Sequence, residues 1–152
     1  MRKRILVADV DPGPDSRACR YGLQLARRMD ADLTVLGVVP ESHQTVHWMA
    51  LRERLEREER VNRMDRVLRA VAEEGRKVEV RVTRKIRVGV FDQEVKAVTR
   101  RSPFHLVILG GAGEIQEMSG PADLDRFVSR LGEDAGCPIV TLSSKAALPA
   151  EG

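Results

Sequence analysis

Short apolar runs alternate with longer stretches in which apolar residues return every three or four positions. Ile5–Val10 is a run of the buried-strand type, ended by Asp11-Pro12-Gly13-Pro14, whose prolines and glycine cannot continue a strand. A helix then starts from an N-cap at Asp15 or Ser16, with Ala18, Tyr21, Gly22, Leu25, Ala26 and Met29 on one side, and ends near Asp30. Leu33–Leu36 with Val38 and Val39 predicts a second strand, stopped by Pro40.

After a polar linker, Glu41–Thr45, the spacing predicts a long helix from Val46 to about Gly75, with Trp48, Leu51, Leu55, Val61, Met64, Leu68 and Val71 as its stripe. Gly75 is the expected stop at C′. Val78–Val82 alternates apolar and charged, as in a half-exposed edge strand, and a basic turn, Arg84-Lys85-Ile86-Arg87, is expected after it. Phe91–Arg101 reads as a third helix closed by Pro103. His105–Leu109 reads as a strand running into Gly110-Gly111-Ala112-Gly113. A fourth helix capped near Asp123 carries Leu124, Phe127, Val128 and Leu131, and Cys137–Leu142 is a last strand. Strands alternating with helices imply right-handed crossovers and a mainly parallel sheet covered on both faces. The expectation is one doubly wound α/β domain over residues 1–144 and a frayed tail over 145–152.

Composition narrows the choices. The 152 residues include 26 basic and 23 acidic ones, a net charge of only +3, while aromatics make up 3%. The core must therefore be aliphatic, and neither a disordered chain nor an aromatic base-stacking platform fits. Between Arg52 and Arg76 stand eight basic and seven acidic residues, so most of the charge belongs to one self-paired helix rather than to a patch for nucleic acid. The basic start is followed by only four apolar residues, Ile5–Ala8, before Asp9, and there are two cysteines. These features predict no export signal, no membrane span and a reducing, cytoplasmic setting.

In a doubly wound sheet, ligands bind beyond the carboxyl ends of the strands where strand order reverses. The candidates there are Asp9, Val10 and Asp11 after the first strand and Gly110, Gly111, Ala112 and Gly113 after the fourth. Glycines let backbone N–H groups approach a phosphate. The loop is not a phosphate-binding Gly-x4-Gly-Lys-Ser/Thr motif, however, and Gln116 stands where a dinucleotide fingerprint needs its third glycine. A phosphoacceptor reading of Asp9 and Asp11 lacks an aspartate in Val82-Thr83-Arg84-Lys85, and the last strand ends in Thr141-Leu142-Ser143-Ser144 rather than with a lysine. His43 and His47 have helical spacing but no glutamate and no third ligand, so no metal is expected. No nucleophile elbow or catalytic set is present, and no catalytic residue is assigned. Arg84, Lys85 and Arg87 form a candidate anion cluster on the same rim; a solvated basic loop is the alternative.

With these elements placed, the chain from about Arg4 to Leu142 resembles the universal stress protein family. The resemblance rests on Ile5–Ala8, Ala18, Leu25-Ala26, Ala31, Leu33–Leu36, Val38-Val39, Leu106–Gly110 and Cys137–Val140 in order and spacing. It implies a flavodoxin-like five-stranded sheet of order 3-2-1-4-5 with about four helices, and a homodimer, here pairing through Ile139, Val140, Thr141 and Leu142. Members that bind ATP carry an aspartate after the first strand and Gly-x2-Gly-x9-Gly-Ser/Thr after the fourth. Gly110 and Gly113 match the first pair, but Asp123 follows the nine-residue gap. Aligned backward from Cys137-Pro138, the Gly-Ser pair falls on Asp125-Arg126, and the aspartate position falls on Val10. The resemblance therefore implies a stress-response regulatory and interaction module without stable ATP binding, and at most a weak ATPase. The alternative is an ATP or AMP switch, or slow ATPase, using Asp11, Val38, Gly110, Gly111, Gly113, Gly120 and Arg126.

Overall fold

The run Ile5–Ala8 can be wholly apolar because its strand is covered on both sides, and all four residues are fully buried. The computed structural model describes residues 2–40, 50–111 and 121–142. Its elements are β1 (Lys3–Val10), α1 (Arg17–Met29), β2 (Ala31–Pro40), α2 (Ala50–Lys77), β3 (Val82–Gly89), α3 (Phe91–Arg101), β4 (Leu106–Leu109), α4 (Pro121–Ala135) and β5 (Ile139–Thr141). The strands form one parallel sheet in the order β3-β2-β1-β4-β5, the expected arrangement. β1 is central, with Ile5 opposite Leu33 on one side and Leu106 on the other.

The pleat of β1 feeds two cores. Ile5 and Val7 join Leu33, Val35 and Ile108 under Ala18, Cys19 and Ala26 of α1 and Met64 and Leu68 of α2. Leu6 and Ala8 join Leu36, Val38, Val107 and Leu109 under Phe91, Val95 and Val98 of α3 and Leu124 and Leu131 of α4. Phe91 and Phe127 meet edge to face at 6.2 Å, a contact between α3 and α4. Helix α1 begins as expected: the Ser16 hydroxyl accepts the Cys19 N–H at 3.2 Å. It ends at Asp30, whose φ of 54° is left-handed.

Three expectations are corrected. Gly75 does not stop the long helix, which runs to Lys77; a Cβ there would stand 2.6 Å from Val82 Cγ2 and 3.0 Å from the Val80 carbonyl. The glycine instead lets the end of α2 lie against the chain entering β3. That strand is Val82–Gly89 rather than Val78–Val82, so the basic turn is really the middle of a strand. The reason is pairing: Val82 sits opposite Leu33 and Gly89 opposite Pro40, along the length of β2, while Val82, Ile86 and Val88 cover the first core. Finally, Leu51 and Leu55 lie 64% and 56% exposed, and the buried stripe of α2 begins later, at Val61 and Met64.

The same pleat separates the basic residues of β3. Arg84 turns toward α2 and pairs with Asp65 at 3.2 Å, while Lys85 and Arg87 occupy the alternate positions of the strand. The three therefore do not converge as the expected cluster. The linker over 41–45, the first residues of the expected long helix, His43, His47, the loop over 112–120 and the tail over 145–152 lie outside the described residues.

Candidate functional site

The order of the sheet reverses between β1 and β4, and a cleft of about 290 Å³ opens there, at the carboxyl ends of both strands. The chain leaves β1 at Asp11, whose φ of 46° is left-handed, and the Asp11 N–H donates to the Val38 carbonyl at 2.9 Å. The Asp11 carboxylate accepts from Arg60 Nη2 of α2 at 2.8 Å, which ties the turn to the long helix.

Asp9, one residue before the strand end, points the other way from Val10. It is only 5% exposed, and the Ser16 hydroxyl donates to its Oδ2 at 2.6 Å. Ser16 thus has two tasks, capping α1 through the Cys19 N–H and holding a buried carboxylate. A buried charge is tolerated only with such hydrogen bonds, because desolvation otherwise drives the group to neutralise.

Across the cleft, the Gly110 N–H donates to the Ala8 carbonyl at 2.8 Å, which extends the β1 to β4 ladder by one residue. A Cβ on Gly110 would stand 2.7 Å from both the Asp9 Cγ and the Ala18 Cβ. The space a side chain would need at this glycine is therefore already filled by the Asp9 carboxyl. Gly111 follows with a φ of 70°, a conformation that favours glycine.

The structure brings Asp11, Gly110 and Gly111 together on this cleft. Val38 is fully buried in the second core and meets the turn through its carbonyl. Val10, at the position of the expected aspartate, is half-buried against the same core. Arg126 and Asp125 are exposed on α4, while Gly113 and Gly120 lie outside the described residues. Ser16 and Arg60 were not among the expected site residues, and Asp9, a candidate after the first strand, was not in the expected nucleotide set. Asp9 carried a signal, since the pleat puts it with Ile5 and Val7 on the α1 face, but only the fold places Ser16 and Gly110 against it.

Among the described residues the cleft is lined by three carboxylates, Asp9, Asp11 and Asp15, and one arginine, Arg17. No group of three or more His, Cys, Asp or Glu among them is placed to hold a metal ion. Burial pushes the Cys19 thiol up to about 11, aided by the charge of Asp9 and opposed by the hydrogen bond with Ser16. That thiol stays protonated and is a poor nucleophile.

A family model for the universal stress protein family matches residues 1–141. The chain belongs to this family. Among solved structures, universal stress protein UspA from Lactobacillus plantarum superposes with a TM-score of 0.69 at 17% identity, covering 93% of this chain and 99% of its own. A universal stress protein family member from Arabidopsis thaliana with AMP bound has a TM-score of 0.58 at 16% identity, covering 95% and 93%. The universal stress protein from Archaeoglobus fulgidus in complex with dAMP has a TM-score of 0.56 at 12% identity, covering 93% and 97%. No curated protein matches the sequence. At these identities the shared feature is the fold, and among the described residues no helix of this universal stress protein is long and apolar enough to cross a membrane.

Proposed function

We propose that this universal stress protein is a cytoplasmic stress-response module that acts as a homodimer through protein contacts and does not bind ATP stably. The observation that carries this reading is the Asp9 carboxylate, buried and packed beneath Gly110 where a phosphate-cradling loop would begin. Two unit like charges about 4 Å apart repel by about 4 kcal/mol at an effective dielectric of about 20, and roughly 1.4 kcal/mol is tenfold in affinity. A triphosphate brought to Gly110 and Gly111 would meet that cost from Asp9, on a cleft where Arg60 already holds Asp11 and where Asp15 and Arg17 are the other charged lining residues. The dimer reading is supported by β5, a three-residue edge strand on which Ile139 and Val140 stay half-exposed in the single chain. Such an edge invites pairing with a second copy through Ile139, Val140, Thr141 and Leu142.

A second reading, an AMP-type switch, is favoured by the AMP and dAMP complexes of the Arabidopsis and Archaeoglobus proteins. A monophosphate brings less charge to the acidic cleft than ATP does. Thermal unfolding with saturating ATP and magnesium, and separately with AMP, distinguishes the two, because a ligand of the native state alone raises the midpoint. The module predicts no shift with either nucleotide; a shift with AMP alone selects the switch, and a shift with ATP overturns the first reading. Sedimentation at micromolar concentration is expected to show a dimer, and a monomer would contradict the pairing.

A further inference from the structure

A second concavity, larger than the cleft at the switch point, opens among the described residues. Between α1 and α2 lies a groove of about 690 Å³, more than twice the 290 Å³ of the cleft. Its floor is apolar, made by Cys19 and Leu23 of α1 and Val67, Ala70 and Val71 of α2. Arg20, Arg63 and Arg66 stand on its walls. A concavity of roughly 300–1,000 Å³, mainly apolar with a few placed polar groups, has the dimensions of a small-molecule site.

The groove has a direction. Both helices return from the carboxyl to the amino ends of parallel strands, so they run side by side in the same sense. Two contacts set their relative height: Arg60 holds Asp11 at the end of β1, and Leu23 Cδ1 lies 3.4 Å from where a Cβ on Gly75 would stand. Arg63 and Arg66 therefore lie toward Gly13 and Ser16, Glu74 lies toward Gln24, and Arg20 stands on the opposite wall between these ends.

The arginines on the groove are loosely held, as are Arg52, Arg54 and Arg57 earlier on α2 among the described residues. Arg60, Arg69 and Arg76, elsewhere on α2, each hold a carboxylate at 2.8 or 2.9 Å. Arg63 reaches Glu59 only at 3.9 Å, and Arg20 reaches the Asp15 carbonyl at 3.4 Å. Arg66 has no carboxylate partner among the described residues. Three guanidinium groups with donors to spare thus line one end and the middle of an apolar trough, at whose far end Glu74 pairs with Lys77 at 3.5 Å.

We propose that this groove binds an amphipathic anion of the fatty-acid class. The carboxylate sits at Arg63 and Arg66, with Arg20 across from it, and the acyl chain lies along Leu23, Val67 and Val71 toward Gln24. Planar guanidinium pairs match a carboxylate by parallel N–H donors. The groove adjoins the switch-point cleft, with which it shares Gly13, Pro14 and Ser16 but none of the carboxylates.

Dodecanoate, titrated into the full-length protein below its micellar concentration and followed by calorimetry and amide NMR, tests this. Saturable binding is expected, with shifts at Leu23, Val67, Ala70 and Val71, and dodecanol is expected to bind about tenfold more weakly or worse, since a charge-assisted pair is worth about that factor. Arg63→Gln with Arg66→Gln should weaken dodecanoate by a similar factor and leave dodecanol unchanged. Ala70→Trp, at an exposed position, should fill the trough and abolish binding while the thermal midpoint is kept. Absence of saturable binding to the wild type, equal affinity for dodecanol, or full affinity in the double arginine variant would overturn the proposal.

Discussion

Asp9 shows how one side chain decides what a glycine is for. In the sequence, Gly110 reads as a residue that opens the backbone to a ligand, yet in the fold its missing Cβ makes room for the Asp9 carboxyl and the Ala18 methyl, each 2.7 Å from where that Cβ would be. Gly110→Ala should therefore cost about 1–3 kcal/mol, the usual penalty for forcing a methyl into a packed site. Urea unfolding checks this, and the cost should shrink in an Asp9→Ala background if the carboxyl is part of the clash. Cys19, on the helix above, gives a pH signature. Its folded-state thiol is raised from 9.0 to about 11, first by burial, so the native state holds the proton more tightly than the unfolded chain. Its contribution to stability is complete below pH 9 and is lost as pH rises from about 9 to about 11. The urea midpoint of the wild type should fall across that window more than that of Cys19→Ala; parallel profiles would contradict the assignment. Neither effect was legible beforehand. Asp9 and Gly110 lie a hundred residues apart, and no local spacing reports their contact.

At the scale of elements, the sequence determined most boundaries where one periodicity ended and another began. β1, α1, β2 and α3 follow from their apolar runs, from the cap at Ser16 and from the stops at Pro40 and Pro103. β3 did not, for a specific reason. The alternation Val78, Val80, Val82 continues through Ile86 and Val88, so period alone cannot say where the ladder begins. Pairing along β2 decides it, and Val78 and Glu79 are spent in the turn out of α2, where Glu79 has a φ of 61°. The exposed Leu51 and Leu55 have the same origin, since a helical stripe shows which face is apolar but not how far the sheet extends beneath it. The ion pair of Arg84 with Asp65 belongs to this scale as well, because it crosses from β3 to α2. Both partners are about a third exposed, so Arg84→Ala should change stability by less than about 1 kcal/mol and leave nucleotide affinity, if there is any, unchanged. A larger loss in urea unfolding would mean that the edge strand depends on this contact.

Across the whole molecule, a parallel sheet of order 3-2-1-4-5 places its one reversal between β1 and β4 and so brings Asp9, Asp11, Gly110 and Gly111 into a single cleft. The sequence placed the ends of β1 and β4 at this reversal because topology follows from the alternation of strands and helices. It could not determine the sign of the site, because that depends on which way Asp9 turns. Many universal stress proteins share this sheet, but here the cleft is acidic among the described residues, and the account of the protein as a module without stable ATP rests on that acidity. The most direct measurement is to denature the purified protein and quantify any nucleotide released. Well under one ATP or AMP per chain is the expected result, and about one bound nucleotide per chain would contradict it.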